Sequence, residues 1–449
     1  MAAPAEERTL GPALENLTPR AAAALFRDHV HPTSARAFAR SSPGKLLALG
    51  VVAIVLCLLA GTVTAVTAGD RRANLDVQLA ETEPFAYSAQ RLYLSLSIAD
   101  AAAGTAFIYG GLEPLSVRET YLQALGDAAA ESTGVAGDEQ PGSPARDALI
   151  GIATQLPVYA GTIETARANN RLGLPVGSAY LGEASNLMQS TVLPDAEQLY
   201  EERAATISTT LQRYEQPPWP AIGLLAAALL GLVLIQMYLL RRWRRVFNPG
   251  MIVASFAMLA LLAWMTIGAS VAAADTRKAL DQGNTPLTTL THARILAQQA
   301  RSGETLKLSR RDTTGEYDQA YDANVAELRT LLADYPSDAP AADLVRDAQT
   351  PLDGWIAAHG RMNDAFGRAD YTGAATIAIG SDPDDSTAQF TALDDDLEQG
   401  ITQTRAELRD EVARASRMLD GLVVGAILLA LGGSMFVALG LWPRLREYR

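Results

Sequence analysis

Four stretches of the chain are apolar almost without interruption: Leu46–Ala68, Trp219–Leu240, Met251–Ala273 and Gly421–Trp442, and no Asp, Glu, Lys, Arg or His falls inside any of them. Each is close to the ~20 residues an α-helix needs to cross ~30 Å of hydrocarbon. Buried helices of water-soluble domains seldom run so far without a charge, so the pattern predicts four membrane spans. The chain then divides into a tail (1–45), span 1 (46–68), a long loop (69–218), span 2 (219–240), a short loop (241–250), span 3 (251–273), a second long loop (274–418), span 4 (419–442) and a tail (443–449). The first apolar run lies behind a long polar segment, which favours an uncleaved span over a signal peptide. Cys57, the single cysteine, lies inside that run, so no intrachain disulfide and no cysteine metal site is available.

Between the spans the pattern changes. Strand-type alternation is scarce, and Ala, Leu, Glu, Gln and Arg dominate, so both long loops read as helical. In the first, a helix from about Asp70 to Tyr109 is broken by "GGLEP" (110–114). A second covers about Leu115–Glu131, a third Ala145–Arg171, and the fourth returns to span 2 with a kink or split expected at Pro194. The second loop repeats the scheme with helices at about Asp275–Arg311, Glu316–Ala333, Ala342–Arg368 and Phe390–Met418. The predicted fold is an all-α membrane protein: four transmembrane helices carrying two extracytoplasmic up-down four-helix bundles related by internal duplication. Local echoes support the duplication, with Arg91 answering Arg294 and Gly177 answering Gly373.

Charge sets the orientation. The short loop "RRWRRVFNPG" carries Arg241, Arg242, Arg244 and Arg245 and no acid. Arg444, Arg446 and Arg449 follow span 4, and Arg36, Arg40 and Lys45 precede span 1. The first long loop holds 9 basic against 19 acidic residues and the second 15 against 25. Basic residues beside span ends stay in the cytoplasm. The four arginines of the short loop are therefore topology anchors, both termini face the cytoplasm of a plasma-membrane protein, and both long loops lie outside. A net charge of −13 argues against nucleic-acid binding. Three lysines against 34 arginines, with abundant alanine, suggest a GC-rich bacterial source.

Little in the chain suggests catalysis. No HExxH, CxxC, phosphate loop, GxSxG or SxxK arrangement occurs, and no cofactor is implied. The acidic groups at 382–385 and 394–396 read as solvated loop rather than metal site, because they lack the glycine and terminal glutamate of a calcium loop. Spans without charge speak against an ion-coupled transporter. Candidate contacts for a carboxylate ligand are Arg91, Arg118, Arg294, Arg310 and Arg311, whose planar guanidinium suits a carboxylate; surface salt-bridging is their plainer reading. Gly110, Gly111, Glu113, Pro175 and Gly177 mark turns that could face a partner. The tail has a weakly amphipathic basic segment (Leu25, Phe26, Val30 and Phe38 with Arg20, Arg27, Arg36 and Arg40) suited to anionic lipid or a cytoplasmic partner. Large outer loops joined to four spans suit a sensor whose signal leaves through a separate protein, since no kinase or HAMP-type segment follows the spans. A cell-envelope scaffold is the rival class.

"TAFIYGGLEPLSVRETY" (105–121), "ETARANNRLGLPVGSAYLGEASNLMQ" (164–189) and the paired layout resemble the actinobacterial GlnX-type four-pass membrane proteins. The resemblance implies a non-enzymatic relay. An extracytoplasmic amino-acid-binding lipoprotein of the glutamine-binding type would report external aspartate or glutamate, and the cytoplasmic Ser/Thr protein kinase G would receive the signal. It supplies no catalytic residues.

Overall fold

The computed structural model describes residues 42–109, 112–136, 142–243 and 248–446. The amphipathic tail segment, Gly110, Gly111, Arg244 and Arg245 lie outside them. Every regular element there is helical, with no strand among the described residues. In chain order the α-helices are α1 (Ser42–Val77), α2 (Glu83–Tyr109), α3 (Leu115–Ala136), α4 (Pro144–Arg171), α5 (Val176–Leu187), α6 (Leu193–Tyr214) and α7 (Trp219–Trp243), followed by α8 (Pro249–Lys278), α9 (Thr285–Arg310), α10 (Glu316–Ala333), α11 (Ala342–Gly367), α12 (Tyr371–Ile379), α13 (Ser386–Met418) and α14 (Leu422–Arg446). Four helical stretches are long and apolar enough to cross a membrane: Gly44–Tyr109, Val176–Arg241, Pro249–Arg310 and Ser386–Trp442. The protein is an all-α membrane protein. Its described residues fall into two compact units, one holding the four spans and the other, Ala68–Pro217 with Ile267–Asp420, holding both long loops.

In the span unit, small residues face inward and branched ones outward. Ala53, Cys57 and Ala60 are buried on α1, whereas Val51, Val55 and Leu59 are exposed. A side chain at Gly61 would run into Ala430, and one at Gly433 would touch Met258 and Cys57. This is how spans associate when lipid removes any hydrophobic advantage for large side chains: small residues let backbones approach. Asn248 opens α8 in the same unit. Its Oδ1 accepts from the Gly250 backbone N–H at 3.2 Å, and its Nδ2 donates to the Gly440 carbonyl at 2.8 Å, which ties the start of span 3 to span 4.

The two loops pack into one unit while each keeps its own core. In the first half α2 lies against α3 and α6, and α4 against α5 and α6. In the second, α9 lies against α10 and α13, and α11 against α12 and α13. The halves meet where α2 packs along α9. The first core is built on Tyr93, Leu96, Ile152, Tyr159 and Leu199 and takes in Ile295 from the second loop. The second is built on Tyr321, Leu352, Trp355 and Leu397. A smaller cluster around Met362 and Phe366 seats α12, a short helix that the sequence pattern reads only as part of a turn.

Three π-helical segments interrupt the loop helices: Gln78–Thr82, Met188–Val192 and Ala279–Asn284. Each ends two residues before a proline, namely Pro84, Pro194 and Pro286. A proline inside a helix has no N–H to donate, and its ring meets the carbonyl four residues back. Widening the preceding turn relieves that contact without leaving the helix. The break expected at Pro194 therefore takes the form of a π turn. Span-to-loop junctions differ in kind: α1 and α8 pass into α2 and α9 through π turns, whereas α6 and α13 end before α7 and α14, the latter pair at Gly421 with φ +73°.

Candidate functional site

The seam between the halves is polar although it is buried. The sequence "SLSIADAAAGTAF" makes α2 thin on one face, so α9 comes close: a side chain at Gly104 would lie 3.0 Å from Thr305 Oγ1. In the middle of that small-residue run stands Asp100, which is fully buried. Its carboxylate accepts from Ser185 Oγ (2.9 Å), Gln189 Nε2 (2.9 Å), Ser302 Oγ (3.0 Å) and Tyr159 OH (3.3 Å). Ser302 belongs to the second loop, so one carboxylate bonds both halves. Burial pushes its pKa up, against the pull of the four hydrogen bonds.

A second buried carboxylate, Glu304, has a different setting one turn further along α9. It accepts from Arg301 NH1 at 2.5 Å, Ser386 Oγ at 2.7 Å and Trp355 Nε1 at 3.3 Å, and His359 Nδ1 lies 3.1 Å away. Burial pushes its carboxyl up, but Arg301 and His359 outweigh this and hold it at about 2. The network continues through Asn363, which bridges His359 and Lys307, and Lys307 Nζ donates to Asp318 at 2.5 Å. The settings echo one another across the halves. In each, a carboxylate on the first helix meets an aromatic donor on the third, Tyr159 for Asp100 and Trp355 for Glu304. In each, a buried tyrosine on the second helix stacks under a nitrogenous group: Arg167 lies 4.1 Å from the Tyr121 ring centre, and His359 3.6 Å from that of Tyr321.

Clefts open on both flanks of the seam. One, of about 340 Å³, is lined from the first half by Ile98, Thr105 and Tyr109 and from the second by Gln298, Arg301 and Phe390. A smaller one, of about 180 Å³, brings Arg91 and Arg294 to the same wall. Neither arginine is free for a ligand. Arg91 pairs with Glu131 at 2.8 Å, and Arg294 grips Asp394 through two bonds (2.7 and 2.8 Å) and Glu398 through a third (2.8 Å).

The remaining sequence-selected residues lie at turns. Glu113 is buried beside Arg118 (3.0 Å), Arg167 (3.2 Å) and Arg171 (3.7 Å), which locks the α2–α3 turn onto the end of α4. Pro175 precedes α5 in helical geometry, and Gly177 is needed for close approach, because a side chain there would meet the Asn170 amide at 2.9 Å and the Ala166 carbonyl at 3.0 Å. Arg310 donates to Tyr317 OH at 2.6 Å and lies against Gly182 of the first half. Arg311 ends α9 with φ +50° and covers the Tyr371 ring at 4.8 Å. Arg241 is exposed at the end of α7; the side chain of Arg242, with Gly110, Gly111, Arg244 and Arg245, falls outside what the structure describes. Sequence reasoning missed Asp100, Glu304, Arg301, His359 and Arg167. A lone acid in the small-residue run 95–107 was the one readable signal; the others look like ordinary helix-surface charges until the halves pack.

Residues 74–212 match the family model of an actinobacterial sensor domain. The first loop therefore carries a sensor-type domain of an actinobacterial class. No curated protein and no solved structure matches the chain.

Proposed function

We propose that the protein is a non-enzymatic transmembrane relay. It senses external aspartate or glutamate through an extracytoplasmic amino-acid-binding lipoprotein and passes the signal to a cytoplasmic Ser/Thr protein kinase. The observation that carries the reading is the sensor-domain match over residues 74–212, a segment whose first helices run on from a membrane span through a π turn. The resemblance of 105–121 and 164–189 to GlnX-type proteins supplies the ligand class and the two partners. The pairing of Arg91 and Arg294 with internal carboxylates favours recognition of the amino acid by a partner over direct capture by these arginines. Both long loops face outward in this reading, with the arginine-rich short loop and the termini inside.

The test compares kinase-dependent phosphorylation in cells with and without external aspartate or glutamate, in wild type, a deletion strain and the complemented strain. The relay reading expects the response to vanish on deletion and return on complementation. A response that survives complete deletion replaces the relay with the scaffold.

A further inference from the structure

Outside the spans, large apolar side chains are strongly exposed at one place. Leu112 is 84% exposed and Leu115 76% on the α2–α3 turn, and Leu172 is 74% exposed on the α4–α5 turn, with Leu174, Val176 and Tyr109 beside them also exposed. The two turns are neighbours, because Glu113 of the first lies 3.7 Å from Arg171 of the second. Solvating three leucines to this degree is costly at about 25 cal/mol per Å² of apolar area, and grouped exposed apolar residues mark contact surfaces. The corresponding turns of the second half are different. They surround a polar cleft of about 440 Å³ lined by Lys307, Asp312 and Asp318, and Tyr371 is the large apolar side chain exposed there among the described residues. The two halves share a helical plan, so the leucines are not a requirement of the plan.

We propose that these two turns form the docking surface for a protein partner with an apolar contact centre and carboxylates at its rim. The charge around the leucines selects that chemistry. Arg118, Arg167 and Arg171 surround Glu113 and Glu164, a local excess of one positive charge in a loop that is acidic overall. Glu113 and Arg167 are buried, whereas Arg118 and Arg171 are 31% and 47% exposed and face the rim. A second copy of this chain fits poorly, because a two-fold contact would set the same arginines against each other. A lipid surface fits poorly too, since anionic membranes recruit clusters of several uncompensated basic residues. The inference rests on the relay reading for its significance and identifies where its outer partner binds.

The experiment uses the full chain. A photo-crosslinking amino acid replaces Leu112, Leu172 or, as control, the exposed Arg346 of the second half, in native membranes. The species captured from both leucine positions and not from the control is purified. Its binding to the full chain in nanodiscs is then measured at low and high salt. Expected is one protein whose affinity falls at least tenfold with Leu112→Asp plus Leu172→Asp, falls several-fold with Arg118→Glu, and weakens as salt rises. The substituted side chains already face solvent, and an unchanged circular dichroism melt establishes that the variants fold. Capture of this chain itself, of lipid alone, of nothing, or of a protein whose affinity ignores these substitutions overturns the proposal. If the amino-acid response persists in the leucine variants, the surface is wrong and the relay stands. If docking is lost as expected but no strain shows the response, the surface stands and the relay is wrong.

Discussion

Asp100 and Glu304 are both fully buried carboxylates, yet their surroundings drive them in opposite directions. The hydrogen-bond partners of Asp100 are all neutral, so desolvation prevails and its pKa is raised. Such a group favours the protonated form in the folded state, and its contribution to stability falls as pH rises through the raised value. Glu304 is held at about 2 by Arg301 and His359 despite burial. Its contribution is present above the ordinary value of 4.5 and is lost as pH falls towards 2. Glu304→Gln leaves Arg301 buried without its counter-charge, and breaking such a pair typically costs about 3–5 kcal/mol. Asp100→Asn keeps an acceptor for the surrounding donors and removes a buried charge, so near-neutral stability or a gain is expected at pH 7. Thermal unfolding of the full chain in detergent, followed by Trp355 fluorescence between pH 4 and pH 8, separates the two. Equal losses for both variants at pH 7 would show that the neutral donors around Asp100 stabilise its charge as well as Arg301 stabilises that of Glu304.

At the scale of elements, what the sequence reveals depends on whether a feature is local. Helix positions follow from composition, glycine and proline, all of which act within a few residues. The turn after Tyr109, the start at Leu115 and the end at Arg171 are where the pattern puts them. The π turns also have a local cause in Pro84, Pro194 and Pro286, although the pattern alone does not distinguish a π turn from a kink. The Asp100 and Glu304 networks are non-local: Ser302 is 202 residues from Asp100 and Ser386 is 82 from Glu304, and no spacing rule joins them. Gly177 shows the same limit. It reads as an exposed partner-facing turn, but it is buried where α5 turns back against α4. Both groups that a side chain would meet there are backbone, which cannot rotate away. Gly177→Ala should therefore cost roughly 1–3 kcal/mol by overpacking, read as an earlier thermal midpoint, whereas Gly161→Ala, which meets nothing within 4 Å, should not. A wild-type midpoint for Gly177→Ala would return that position to the set of candidate contact residues.

At the scale of the whole molecule, two helical loops share a polar seam and differ at their turns. The first presents leucines around arginines, and the second presents a charged cleft. A symmetric pair of sensing domains would have no need for that difference, and it suits a division of labour in which one half contacts a partner and the other supports it through Asp100 and Ser302. Which side of the membrane this unit occupies decides whether the partner is an external protein. The arginine distribution predicts the outside, because the short loop carries Arg241, Arg242, Arg244 and Arg245 and the long loops are acidic. Single cysteines test this in a Cys57→Ala background, where the native thiol, buried among the spans, is removed. Thr133 and Ser337 are exposed on the first and second loops and are suitable sites. Asn248 is unsuitable for the inner side, since it is 5% exposed and its amide bonds span 4. A cysteine appended after Arg449 serves instead. A membrane-impermeant maleimide should label the Thr133 and Ser337 positions in intact cells and the appended cysteine only after lysis. Labelling of the appended cysteine in intact cells, with the loop positions protected, would invert the topology and place the leucine surface in the cytoplasm, where an external amino-acid-binding protein could not reach it.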